Sequence, residues 1–450
     1  MRDWVSKARR RGSNHPAVEA PDGTLTYAKL DEQADVAARR LAALGVGEGG
    51  RVATTLPPST GFAVLLHAAP RIGAALVPLN TRLTAEQQRA QAAAVGADVL
   101  VDAPLDGMEA AIGPCRELDP AAIHTVLFTS GTEGEPKPVE LTVGNLDGSA
   151  AASAAVFGNE PDDRWLCVLP LFHVAGLSIL TRCARNATTA VLHDRFDLPV
   201  VLDALTAGGV SMISLVPTQL RRLRDAGLAD APGLRALLLG GGPIPPDLVE
   251  WAREVGLPVR CTYGMTETAS QVAVTDPWES AATPLPEAEI EIAADGEILV
   301  RGPMVAADAI SDDGWLHTGD TGSIDRHGRL HVEGRIKELI VTGGEKVAPA
   351  AVEAVLAAHP AIADAGVTGT PDPDWGEAVT AYVVERSPVS DYDLLAFCRE
   401  RLAGYQVPKR VVRVPSLPRN AGGKLLRSRL SEVGRPGAAG GPEGAGPPIK

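Results

Sequence analysis

Thr129, Ser130, Gly131, Thr132 and Gly134 gather hydroxyls and unhindered backbone N–H groups in one short run, and Lys137 follows closely. Such a run can wrap a diphosphate, because amides and hydroxyls donate to phosphate oxygens and the ammonium adds a point charge. Its spacing is not that of the GxxxxGK[ST] loop, and alone it also reads as a Gly-rich surface turn. Two glutamates inside it, Glu133 and Glu135, work against a polyanion. Four other stretches bear on the same chemistry. "LLLGGGPIP" closes an apolar run in glycines, so a flat ring could lie against bare backbone at Gly241 and Gly242. "CTYGMTETASQ" places Tyr263, Gly264, Met265, Thr266 and Glu267 together: an aromatic ring, hydroxyls and a carboxylate. "HTGDTG" puts Asp320 in an expected turn between strands, where a carboxylate can accept two hydrogen bonds from a ribose diol. "PRNAGGKLLRSRL" carries Lys424 on a Gly turn. Each stretch alone fits a turn, but their joint order along one chain points to nucleotide chemistry.

The elements that must hold these residues follow from periodicity. Up to about residue 260, helical stretches such as "YAKLDEQADVAARRLAALG" alternate with short β-rich runs such as "RVATTL" and "TAVL". "HTVLFTS", "WLCVLPL", "MISLVP" and "LRALLLGGG" read as strands buried on both faces, hence a mostly parallel sheet. In such sheets ligands bind beyond the carboxyl ends of the strands. From about Glu287 short strands with Asp-Gly and His-Gly turns suggest a small antiparallel or barrel-like unit. After Arg335 a fresh α+β pattern begins. The expected fold class is therefore α/β, with a large N-terminal domain over 1–334 and a small, mobile C-terminal domain over 335–430. The Gly/Pro-rich tail over 431–450 has nothing to bury and is expected to be disordered.

Bulk properties narrow the class further. The 450 residues exceed one ordinary domain, and 45% apolar with 22% charged residues suits a soluble globular chain. A net charge of −14 argues against nucleic acid or an anionic membrane as a default partner, so phosphate binding must come from local geometry. Five scattered cysteines, an odd number with no CxxC, form neither a disulfide framework nor a metal knuckle. The basic N-terminus lacks an apolar h-region, and no apolar run approaches the ~20 residues of a membrane span. A cytoplasmic location is expected.

Taken together, "TSGTEGEPKPV", "LPLFHVAGL", "GGGPIP", "YGMTET", "HTGD", "GRIKELIVTGGEKVAP" and "RNAGGK" resemble the adenylate-forming superfamily of acyl-CoA synthetases, luciferases and peptide-synthetase adenylation domains. The likeness runs from about Asp22 to Leu430. It implies a two-step use of ATP, Mg²⁺ and CoA at a site between a large and a small domain. Thr129, Ser130, Gly131, Thr132, Gly134 and Lys137 would then cover the ATP β/γ-phosphates. Gly241, Gly242 and Tyr263 would frame the adenine, with Gly264 and Met265 beside them. Thr266 would touch the α-phosphate and Glu267 would hold the metal. Asp320 and Arg335 would bind the ribose hydroxyls, and Lys424 the α-phosphate and the substrate carboxylate. Lys337 would be the hinge, Gly344 would approach CoA, and His173 would sit near the acyl pocket.

Within the superfamily, "LLLGGGPIP", "CTYGMTETASQV" and "RNAGGKLLRSRL" look most like the o-succinylbenzoate–CoA ligases of menaquinone synthesis. A dicarboxylate with an aryl ketone needs polar or cationic groups beside apolar walls. Arg182 is the candidate cation, against a solvated or ion-paired surface Arg. Ser270 and Gln271 are candidate polar contacts, and His173 could instead be a hydrogen-bonded core histidine. Two other readings stay open: a synthetase for another aryl or aliphatic acid, and a non-catalytic paralogue. Glu133 where relatives carry Thr or Ser, Pro138 where many carry Gly, and the missing Gly-rich run before "PLPEAEIEI" feed the last of these. Glu133 is expected to weaken ATP or pyrophosphate binding without stopping chemistry.

Overall fold

A computed structural model describes residues 1–129, 136–419 and 425–433. The chain divides into two compact units. The first comprises Met1–Ile244, Leu248–Thr318 and Gly322–His331, and the second Pro245–Asp247, Gly319–Thr321 and the residues from Val332 on.

The first unit is layered α/β. Strands Thr189–Leu192, Arg164–Cys167, Met212–Leu215, Ala236–Leu239 and Val259–Met265 lie side by side and parallel. Every residue of "MISL" and "ALLL" is buried, as expected where helices cover both faces. The helices Leu198–Thr206 and Pro217–Asp225 bring Leu205, Leu220 and Leu223 into this core, each burial worth about 2 kcal/mol. Beyond Val259–Met265 the pairing becomes antiparallel, starting with Ser270–Thr275 and Ala282–Pro284. The antiparallel unit expected from the Asp-Gly turns is thus a continuation of the parallel sheet, which reaches 13 strands. A second, five-stranded sheet runs Val99–Val101, Arg51–Thr54, Ala75–Pro78, Ile123–Thr129, Lys137–Thr142, with only the last pair antiparallel.

Helix Tyr27–Ala43 shows how local sequence builds these elements. Thr26 caps it by accepting from the Lys29 N–H, and Leu30, Ala34, Ala37, Ala38 and Leu41 form its buried stripe. An ion cluster ties it to the N-terminal helix Trp4–Arg11. The fully buried Arg71 guanidinium donates to Asp3 (2.8 Å), Asp31 (2.7 Å) and Asp35 (2.6 Å). Arg9 and Arg116 add bonds to Asp31 at 2.8 and 3.0 Å, so three cations offset three carboxylates. Removing one partner from such a cluster costs about 3–5 kcal/mol.

The second unit has its own core. Strands Ile362–Asp372 and Gly376–Glu385 pair antiparallel, and Gly376–Glu385 also pairs with Arg410–Arg413 in parallel and, at Gly376, with the hairpin Ile340–Thr342/Glu345–Val347. Helices Pro349–Ala357 and Asp391–Arg399 bury Val352, Leu356, Leu394 and Cys398 against Val367, Val379 and Val383. Residues 434–450, most of the expected tail, lie outside the described residues.

Candidate active site

The in-register parallel strands of the first unit bring their carboxyl ends to one edge. Leu215 pairs with Leu239, and Leu239 with Cys261. The loop at Gly240 to Gly242 therefore leaves the sheet beside strand Val259–Met265, which runs on past its parallel neighbour into the turn that holds Thr266 and Glu267. The glycines there differ in purpose. A Cβ on Gly240 would lie 2.3 Å from the Thr262 hydroxyl, so adjacent strands require glycine. Gly241 has φ +80°, and the Cβ side of Gly242 opens on space free of other atoms. Gly242 is thus the position where bare backbone is available to a ligand. Gly264, expected as a nucleotide contact, is required by packing, since a Cβ would sit 2.0 Å from the Ser270 carbonyl oxygen.

Thr266 and Glu267 occupy a single 3₁₀ turn, Thr266–Thr268. The sequence reading passed over Thr268, whose buried hydroxyl knots this turn. It accepts from the Met265 N–H at 3.0 Å and lies 2.6 Å from the Ser270 carbonyl, to which it can donate. In the string, the second hydroxyl of T-E-T resembles one more ligand contact. The turn is strained: Ala269 (φ +48°) and Ser270 (φ +116°) both hold positive φ without being glycine. The Ala306 N–H donates to the Glu267 carbonyl at 2.8 Å, while the Glu267 carboxylate has no partner among the described residues. A lone carboxylate on a held backbone fits Mg²⁺, which keeps waters and binds through one or two carboxylates plus substrate phosphates. Among the described residues no cluster of three or more His, Cys, Asp or Glu could hold a metal unaided.

Thr129 and Lys137 end and begin the two strands of a hairpin, and the Thr129 hydroxyl donates to the Lys137 carbonyl at 3.3 Å. Strand Lys137–Thr142 runs beside the Thr266–Thr268 turn. Ser130, Gly131, Thr132, Glu133, Gly134 and Glu135 lie outside the described residues, as does Lys424.

His173 precedes helix Val174–Asn186, whose Gly176 must be glycine because a Cβ would meet the Pro170 carbonyl at 2.4 Å. The imidazole touches solvent on one side and the Phe172 ring, 4.6 Å between centroids, on the other. Despite that opening, desolvation and then the Arg82 charge push its pKa down to about 4, so it is neutral at pH 7. It has no ring hydrogen bond among the described residues, and its exposed edge does not suit a core histidine.

Arg182, from the same helix, is neither solvated nor ion-paired at the surface. It is 2% exposed and stacks over Trp165 at 5.5 Å, and its Nε and Nη2 find no acceptor among the described residues. Desolvation pulls its pKa down to about 10. Gln271 is also buried, with its amide 3.4 Å from the Ser153 hydroxyl. Ser270 is half-buried and contributes its carbonyl to the turn.

In the second unit, Asp320 lies within strand Leu316–Ile324, not in a turn, and Gly319 kinks the strand just before it with φ +69°. Arg335 donates to the Asp320 carboxylate at 2.7 Å, so the two candidate ribose ligands are paired with each other. Lys337 is exposed in the turn Ile336–Glu338. Gly343 and Gly344 form a two-residue hairpin with φ +61° and +85°, the pattern of a type I′ turn. The Gly343 N–H donates to Trp375 at 2.9 Å.

A glycine loop at the carboxyl edge of a parallel sheet, a carboxylate open to a metal and a separate small α+β unit together suit an enzyme that handles a nucleotide. Residues 5–113 and 104–308 match the family described as AMP-binding enzyme, and residues 351–424 match the AMP-binding enzyme C-terminal domain. The chain belongs to this family of AMP-binding enzymes. It is 37% identical over 476 residues to the 2-succinylbenzoate–CoA ligase of Bacillus subtilis, covering 96% of this chain and 98% of the relative. The structure of the Bacillus subtilis o-succinylbenzoate CoA synthetase with its acyl-adenylate intermediate superposes with a TM-score of 0.89 at 36% identity, covering 96% and 98% of the two chains. The complex of that synthetase with ATP and magnesium ion gives 0.87 at 36% identity, covering 96% and 99%.

Proposed function

We propose that the protein is an AMP-forming acid–CoA ligase that converts o-succinylbenzoate to o-succinylbenzoyl-CoA through an acyl-adenylate, in menaquinone biosynthesis in the cytoplasm. The observation that carries this reading is the near-full-length likeness to a synthetase solved with that acyl-adenylate. In the first step a carboxylate oxygen of the acid bonds to the α-phosphorus of ATP, and the bond to the bridging oxygen breaks to release pyrophosphate. Two anions must meet, so charge on the phosphoryl oxygens needs offsetting. Thr266 donates to the α-phosphate, Lys424 adds a cation, and Glu267 would hold the Mg²⁺ that neutralises phosphate charge. Gly242 leaves backbone open to the adenine beside Tyr263, and Asp320 and Arg335 present the ribose site. In the second step the CoA thiol attacks the acyl carbonyl and AMP leaves with the electron pair of the anhydride bond.

The acyl pocket follows from helix Val174–Asn186. A neutral His173 adds no charge beside the acid. Arg182 is a buried cation lacking acceptors among the described residues for two of its nitrogens, which suits the second carboxylate of a dicarboxylate. Residues 335–430 act as the small domain, with Lys337 as the pivot between the two steps.

Acid-dependent pyrophosphate release across a panel of acids tests the reading. o-Succinylbenzoate should give the highest kcat/KM. Equal rates with benzoate or fatty acids would replace it by a synthetase of another acid, and no release with any acid would favour a non-catalytic paralogue.

A further inference from the structure

The second unit contains a three-way ion contact that no step above uses. Arg427 grips Glu353 in a fork, with Nη2 2.7 Å from one carboxylate oxygen and Nε 3.2 Å from the other. Its remaining nitrogen, Nη1, donates to Glu338. The guanidinium is largely buried, with 12% of the side chain exposed, so solvent screens it weakly. Glu353 is held in turn by the Val367 N–H at 2.8 Å. Arg427 thus joins helix Pro349–Ala357 to the turn Ile336–Glu338, and Glu353 carries the link on to strand Ile362–Asp372.

The third of these contacts matters most. Glu338 directly follows Lys337, and the Leu339 N–H closes the turn on the Ile336 carbonyl at 3.2 Å. Two further contacts brace the described residues of this unit. Arg419 reaches Asp364 at 2.8 Å, and the Leu426 N–H donates to the Pro418 carbonyl at 2.9 Å. These contacts cross-brace the described residues of the second unit downstream of Glu338.

We propose that Arg427 is a positioning residue: by clamping Glu338 to Glu353 it sets the downstream edge of the hinge and confines rotation to the residues at and before Lys337. The inference rests on the two-step reading above. Each step needs the small domain in one orientation, and a misplacement of about 1 Å is enough to cost rate. A hinge that frays past Glu338 spreads the orientations and lowers the share that is competent for either step.

Glu338→Ala is the direct test, because it removes only the Nη1 arm and leaves the buried Arg427–Glu353 fork paired. Trypsin cleavage after Arg335 or Lys337, followed by mass, should accelerate by about tenfold, the weight of one charge-assisted hydrogen bond on local opening. Pyrophosphate exchange and thioester formation from supplied acyl-adenylate should both lose kcat by a similar factor, with the KM for the acid unchanged. Arg427→Lys, which keeps the charge and loses the fork, should fall between Glu338→Ala and the parent protein. Unchanged cleavage in Glu338→Ala would overturn the proposal, as would a loss confined to the acid KM or to one half-reaction. Proteolysis needs no turnover, so failure of the ligase reading and failure of the clamp are read separately.

Discussion

Arg182 illustrates how burial can be spent on function. A guanidinium with two nitrogens lacking acceptors among the described residues opposes folding, and desolvation already draws its pKa down to about 10. Replacing such a group by an apolar one of similar size typically stabilises a protein by about 1–4 kcal/mol. Arg182→Met should therefore raise the melting temperature of the ligand-free protein. It should also raise the KM for o-succinylbenzoate by about tenfold to a hundredfold, the weight of one lost charge-assisted hydrogen bond. Thermal melts and steady-state kinetics check the two halves, and a destabilised variant with an unchanged KM would make Arg182 a packing residue. At this scale "LPLFHVAGL" already marked the helix, but the string could not show that Arg182, nine residues past His173, turns inward. Helical periodicity leaves both faces open until Trp165 and its neighbours are in place.

The elements of the N-terminal region carry an acid-sensitive core. His67 and His124 are buried neutral: desolvation, first among the causes, pushes their pKa values down to about 4 and about 3. His124 also packs 5.3 Å from the Trp4 ring and 2.8 Å from the Thr125 hydroxyl. The unfolded chain takes up these protons near pH 6.5, while the fold resists them. Their contribution to stability is complete above about pH 6.5 and is lost as pH falls toward the folded values, by about 1.4 kcal/mol per pH unit per histidine. Asp31 acts later. Burial opposes its charge, but hydrogen bonds from Arg9 and Arg71 and the charges of Arg71 and Arg116 prevail and hold it below the ordinary carboxylate range. Its share is present above about pH 4 and is lost below. Melting temperature should therefore decline steadily from pH 7 to pH 5, and His124→Gln should make that decline shallower. A pH-independent melting temperature over this range would contradict the assignment.

At the scale of the whole molecule the proposed two-step chemistry calls for one site in two states. Lys424→Ala should abolish acid-dependent pyrophosphate release and spare thioester formation from supplied acyl-adenylate, and equal loss of both half-reactions would contradict the two-state scheme. The buried strands, the helix Tyr27–Ala43 and the order of the glycine loops were legible in the chain, because each depends on residues close in sequence: apolar runs, a Thr cap, glycines where a strand ends. The same locality explains why Thr266, Glu267 and Gly264 stand out as candidates in the string, while the packing of Gly264 against the Ser270 carbonyl appears only in the fold. By itself the sequence determined the layered α/β class, the family likeness and most of the candidate residues. Only the tertiary structure decided which charges pair. Asp3 meets Arg71 across 68 positions, and Arg427 meets Glu353 across 74 and Glu338 across 89. Among 56 acidic and 42 basic residues such pairs carry no local signal. An ion pair is chosen by distance and desolvation once the core has closed, and neither exists along the string.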